Sequence, residues 1–169
     1  MKTFLKLTLL VILFACFAVS CGKSSSDAVL IDYGLYDATV LVSGNWKLGF
    51  PVSIVSSHGV EHKKTTLSIP CEDGRYWGFR AHLKNSTTEP VLYRFEINHP
   101  EIVSPDGKHT TLETGELEIQ PGESDDQQFL WFFLDSCPHE FVPGEWTMVL
   151  KANEKEVISK TFTIRKPDA

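Results

Sequence analysis

Beyond residue 27 the apolar positions recur every second residue rather than every third or fourth, the spacing of half-buried strands. In Trp77-Gly78-Phe79-Arg80-Ala81-His82-Leu83-Lys84, one face carries Trp77, Phe79, Ala81 and Leu83, and the other Gly78, Arg80, His82 and Lys84. The run 91–98 sets Val91, Tyr93, Phe95 and Ile97 against Arg94 and Glu96. Phe129 to Leu134 is apolar on both faces, which predicts a central strand or one whose outer face is also covered. Trp146, Met148 and Leu150, followed beyond Asn153-Glu154-Lys155 by Ile158, Phe162 and Ile164, predict a closing hairpin. Weaker alternation predicts strands at 29–42, 50–55, 65–69 and 111–119. Asp73-Gly74, Asp106-Gly107, Pro121-Gly122 and Pro143-Gly144 supply the turns between them.

Short strands with one apolar face are unstable singly and must bury those faces against each other. Seven to nine of them predict an all-β, immunoglobulin-like sandwich of two antiparallel sheets, with an up-and-down barrel as the alternative closure. Eleven Phe and four Trp supply the bulk to fill a core about 10 Å thick. No internal repeat divides the stretch 28–166, which reads as one domain.

The first twenty residues follow a different rule. Lys2 and Lys6 precede an apolar run from Leu7 to Val19, shorter than the roughly 20 residues of a membrane-spanning helix. A positive start, a short apolar stretch and small residues at its end make residues 1–20 a secretory signal. The run ends Phe17-Ala18-Val19-Ser20-Cys21-Gly22, which resembles a bacterial lipobox, with Ala18 where Leu is usual. That resemblance implies cleavage before Cys21, acylation of its thiol and anchorage in a lipid bilayer. A plain cleaved signal with an incidental cysteine, or an uncleaved anchor helix, are the competing readings. Each buried acyl CH₂ contributes about 0.8 kcal/mol, so two or three chains anchor a protein stably where one does not. Residues 21–27 then form the acylated terminus and a Gly/Ser-type tether. Gly22 rather than Asp after the cysteine favours the outer membrane by the sorting rules of such proteins.

Charge narrows the partners. The 169-residue chain carries a formal net charge of −6, and loss of Lys2 and Lys6 with the leader takes it to −8. A nucleic-acid binder would show a basic footprint instead, and so acidic a surface needs acyl chains to hold a membrane. Export also bears on the cysteines, because oxidising compartments preserve disulfides. With Cys16 lost in the leader and Cys21 acylated, Cys71 and Cys137 are expected to pair, a loop closure contributing on the order of 4 kcal/mol. Two separate buried thiols are the alternative, and no Cys-x-x-Cys spacing points to redox or zinc chemistry.

The punctuated strands are similar to a bacterial family of immunoglobulin-like domains, domain of unknown function 3859. The pieces that carry the resemblance are Tyr33-Gly34-Leu35-Tyr36, Gly78-Phe79-Arg80, Asn98-His99-Pro100, Val142-Pro143-Gly144-Glu145-Trp146-Thr147 and Phe162-Thr163-Ile164, spread over nearly all of 30–165. The resemblance implies a β-sandwich and brings no activity, cofactor or catalytic residue.

Candidate chemistry is sparse. Of the histidines at 58, 62, 82, 99, 109 and 139, His58 and His62 stand four apart across Gly59-Val60-Glu61, in what reads as a loop or hairpin. That spacing converges on a metal only on one helical face, and no His-x-His pair is present. The histidines are expected to be solvated, and no metal site or cofactor is predicted. There is no Gly-x-Ser-x-Gly elbow. The adjacent acids Glu72-Asp73 and Asp125-Asp126 would point to opposite faces of a strand, so no catalytic residue is predicted. Asn85-Ser86-Thr87 matches a glycosylation acceptor. Among the aromatics Trp46, Tyr76, Trp77 and Trp131, the last two are in phase with apolar neighbours and belong to the core. Trp46, in Ser43-Gly44-Asn45-Trp46-Lys47, is the candidate exposed ligand contact. These features predict a non-catalytic module that binds or scaffolds another envelope protein. A domain that binds a small ligand or glycan through loop aromatics is the alternative, and an enzyme ranks last.

Overall fold

The computed structural model describes residues 26–38, 53–54, 59–133 and 138–166. Among them, two five-stranded sheets face each other. The first contains, in spatial order, β2 (Ser53–Ile54), β8 (Ser124–Phe132), β5 (Tyr76–Asn85), β1 (Ser26–Ala38) and β3 (Val60–Lys64). The second runs β4 (Ser68–Pro70), β10 (Lys155–Arg165), β9 (Gly144–Ala152), β6 (Val91–Val103) and β7 (His109–Ile119). All pairings are antiparallel except β4 with β10. This is the immunoglobulin-like sandwich expected from the alternation, not the single closed sheet of a barrel.

The alternation sets which side chains meet. On β5 and β8, Trp77, Phe79, Ala81, Leu83, Phe129 and Trp131 turn inward and are fully buried. From the other sheet Tyr93, Phe95, Ile97, Trp146, Met148, Leu150 and Phe162 meet them, each at most 1% exposed. Phe95 packs across the layer against Phe129 at 5.0 Å and edge-on to Phe79 at 6.0 Å. At one lateral side the Lys160 ammonium of β10 lies 4.5 Å from the Tyr33 ring of β1, a cation–π contact between sheets. The closing hairpin turns on Asn153 and Glu154, both at positive φ (47° and 66°), as a two-residue turn matched to strand twist requires.

Some elements differ from expectation. The strand predicted at 65–69 is only its end, β4, which begins at Ser68; β3, not predicted, leaves the first sheet at Lys64, so the chain changes sheets across 65–67. His62 stands in strand β3, and of the loop or hairpin expected around it, residue 58 lies outside the described residues. β6 continues five residues past Asn98 because its far half pairs only with β7, leaving the other edge of Pro100 free of a ladder bond its missing N–H could not make. Of the strands expected at 29–42 and 50–55, residues 39–42, 50–52 and 55 lie outside the described residues, as does Leu134 of the run 129–134. None of the described helices is long and apolar enough to cross a membrane.

The two ends of the sandwich are chemically unlike. At the end where β1 begins, the buried Asn85 side chain donates to the Glu89 and Ile119 carbonyls, both at 2.8 Å. Its oxygen accepts from Thr87 N at 2.9 Å and Thr87 Oγ1 at 2.6 Å. Both amide hydrogens are thus used in joining two loops, so the acceptor-like triplet 85–87 has no free amide for a glycan.

Candidate functional site

The opposite end, where β6 and β8 finish and β9 begins, gathers the unusual polar chemistry. β6 carries His99 inward beyond Ile97, with a shift in register against β7 between Asn98 and Ile102. β9 brings Trp146 inward, stacked on His99 at 4.8 Å with planes 28° apart. Trp131 lies 5.3 Å from Trp146, and Trp77 meets it edge-on at 5.6 Å. Trp146 Nε1 donates to Val142 O at 3.0 Å, tying the strand to the loop before it. Gly144 (φ 141°) passes so close to Pro100 that a Cβ there would stand 2.7 Å from its Cγ. The expectation of solvated histidines fails at His99: its side chain is fully buried because strand alternation carries past residue 98.

His99 Nδ1 donates to Pro100 O at 2.8 Å, which leaves Nε2 as the bare acceptor of the neutral ring. Nε2 faces Glu113 Oε1 of β7 at 3.8 Å, and neither atom has a hydrogen-bond partner. Burial holds the His99 imidazole below its ordinary value, against the pull of the Pro100 carbonyl. Burial also pushes the Glu113 carboxyl up, against the Thr110 hydroxyl and the Lys108 charge. Over this end sits a 3-10 turn, Pro138–Glu140, whose Glu140 is only 4% exposed. Burial, and then the charge of Glu113, raise Glu140 to about 7. His139 Nε2 lies 4.0 Å from Glu140 Oε1. A lone Glu in a Pro-His-Glu turn carries no sequence signal of burial, so Glu113 and Glu140 are absent from the sequence-derived candidates.

A second cluster lies on the outward face of the first sheet. Arg80 of β5 grips Asp32 of β1 with two hydrogen bonds, Nε to Oδ1 at 2.9 Å and Nη2 to Oδ2. Tyr36 OH donates to Asp32 Oδ1 at 2.8 Å. Burial alone would raise Asp32, but the Arg80 and Tyr36 hydrogen bonds outweigh it and hold the carboxyl below its usual range. His62 Nε2 donates to Tyr33 O at 3.1 Å, and its ring meets Tyr36 edge-on at 5.3 Å. Gly34 and Gly78 stand opposite one another in this patch. With both acceptor and donor groups satisfied, the cluster joins β1, β3 and β5 rather than offering reactive atoms.

The candidates from sequence fare unevenly. Trp77 and Trp131 are fully buried, as expected of core residues, and Tyr76 stacks on Phe132 at 5.2 Å. Cys21, Trp46, His58 and Cys137 lie outside the described residues. Cys71 is buried with a free thiol, which burial raises to about 11; Cys137, its expected partner, lies outside the described residues. His82 and His109 make exposed pairs with Asp126 (2.7 Å) and Glu101 (3.0 Å). Among the described residues no three His, Cys, Asp or Glu converge as metal ligands.

Two facing, mostly antiparallel sheets with this order define an immunoglobulin-like β-sandwich domain, and each of its two polar clusters includes residues of the motif pieces. Residues 26–164 match the family described as Domain of unknown function (DUF3859), and the chain belongs to that family. Among solved structures it is similar to an immunoglobulin-like protein from Pseudomonas aeruginosa. That likeness has 20% identity and a TM-score of 0.58, over 85% of this chain and 100% of that one, and shows the shared fold. A weaker likeness, TM-score 0.42 at 16% identity, covers 60% of this chain and 28% of an alkylpurine DNA glycosylase of Pseudomonas fluorescens bound to DNA. No curated protein matches.

Proposed function

We propose that the chain is an envelope lipoprotein, anchored through acylated Cys21 in the outer membrane, whose sandwich is a non-catalytic module binding another envelope protein through the His99–Trp146 end. The observation that carries this reading is polarity. β1 opens at Ser26, five residues beyond Cys21, so an acylated Cys21 holds the β1 start within about 18 Å of the bilayer. β1 has 13 residues, about 40 Å of strand, and ends at the other pole. The motif-bearing end is then the part of the domain that stands off the membrane. The same compartment favours a Cys71–Cys137 bridge. In support, Gly74 N donates to Phe133 O at 2.9 Å and Phe133 N to Arg75 O at 3.3 Å, a crossing that in the sequence follows position 71 by three residues and precedes position 137 by four.

The glycan-binding alternative rests on Trp46, and the three described tryptophans, all fully buried, lend it nothing. The test is metabolic labelling with palmitate and membrane fractionation of the native chain and Cys21→Ser, paired with site-specific photocrosslinking in intact cells. The expected results are label and outer-membrane localisation lost with Cys21, and one crosslinked protein from Pro143 but not from Glu154 at the other pole. Unchanged processing and fractionation of Cys21→Ser would refute the anchor. Equal crosslinking from both poles would refute the binding end.

A further inference from the structure

We propose that the His99–Glu113–Glu140 cluster is a proton-operated latch: with its buried carboxyls protonated it fastens the 138–142 turn to the ends of β6 and β7, and ionisation of Glu140 loosens it. The inference concerns the domain itself and holds whether or not Cys21 is acylated.

The geometry sets the requirement. His99 Nδ1 is committed to the Pro100 carbonyl, so the 3.8 Å gap between His99 Nε2 and Glu113 Oε1 separates two acceptors with no donor between them. A single proton supplies the missing donor, and a small approach of the two atoms then makes a hydrogen bond. Burial disfavours the charged form of both groups, lowering the imidazole and raising the carboxyl, so a proton taken up by the pair favours Glu113, with Nε2 as its acceptor. Glu140 comes down on this pair from the 3-10 turn with its side chain 5% exposed. The titratable groups acting on it are Glu113 on β7 and His139 within its own turn, with His99 of β6 facing Glu113 and Lys108 acting on Glu113 from the head of β7.

Protonated, Glu140 is a neutral buried side chain. Ionised, it is a buried anion beside a second carboxylate, with His139 at 4.0 Å as its nearest cationic candidate. Its raised value, about 7, puts that change at neutral pH. Because the folded value exceeds the unfolded one, the favourable contribution is complete below pH 4.5 and disappears as pH rises through 7. Phe141 and Val142 pack against the core, Phe141 lying 5.2 Å from the Phe133 ring, and among the described residues the backbone hydrogen bonds Phe141 N to Pro138 O and Val142 N to Glu140 O stay within the segment. Trp146 Nε1 to Val142 O is its outward tether.

The test is ¹³C-carboxyl NMR of the native protein from pH 5 to 9, with amide hydrogen exchange at 138–142 followed in parallel. Glu140 is expected to titrate near pH 7, with exchange at 138–142 rising at least tenfold more than the intrinsic pH effect across that step. Glu140→Gln, a mimic of the neutral acid, should stay protected throughout. An ordinary Glu140 titration below pH 5 would overturn the proposal, as would the same protection profile in Glu140→Gln. If the variant does not fold, the carboxyl titration and exchange of the native chain decide alone.

Discussion

Replacing Gly78 with alanine tests whether the first sheet depends on close backbone approach. Gly78 pairs with Gly34 on one side and Leu130 on the other. A Cβ at 78 would stand 2.1 Å from Phe129 O, a backbone atom fixed in the β5–β8 ladder, and the residue sits at φ 148°. Overpacking of that kind costs about 1–3 kcal/mol, and a sparsely populated backbone conformation about 1–3 more. The total, about 2–6 kcal/mol, is comparable with the roughly 5–15 kcal/mol that holds a domain together. Gly74 is the control, since it too has positive φ (69°) but nothing within 4 Å of an added Cβ. Urea unfolding followed by tryptophan fluorescence should show Gly78→Ala losing several times more stability than Gly74→Ala, whose cost is about 1 kcal/mol. Equal midpoints for the two variants would refute the close-approach argument and leave backbone strain as the whole effect.

Two further outcomes are expected. Asp32→Asn should destabilise the fold by about 2 kcal/mol at neutral pH, because it strands the Arg80 guanidinium without its charged partner. Since Asp32 is held below the unfolded value, its contribution exists above that value and fades as pH falls through the folded one. The gap between variant and native chain, measured by denaturant midpoints, should therefore close on acidification, and a gap constant down to pH 2 would sink the assignment. Protein purified from the envelope and denatured without reductant should show neither Cys71 nor Cys137 reacting with a thiol reagent, and both reacting after reduction. Both reacting before reduction would dismiss the bridge and leave Cys71 as the buried thiol seen here.

Period-two alternation was enough to predict the sandwich, because a strand with one apolar face has few other ways to bury it. The 77–84, 91–98 and 146–164 runs fall on β5, β6, β9 and β10 with the expected faces inward. Alternation is blind where the chain changes sheets: the sequence around 60–69 reads as a loop or hairpin followed by one strand. Whether residues 65–67 continue a ladder or leave it depends on partners distant in sequence.

The sequence by itself determined the class of fold, the burial of Trp77 and Trp131, and the turn at Asn153-Glu154, since each follows from local spacing and side-chain type. Only the tertiary structure decided that His99, Glu113 and Glu140 share one end. They come from a strand, its neighbour and a turn between 14 and 41 residues away in the chain. Their chemistry arises from that encounter: exclusion from water raises the two carboxyls and lowers the imidazole, and no residue encodes its own dielectric surroundings.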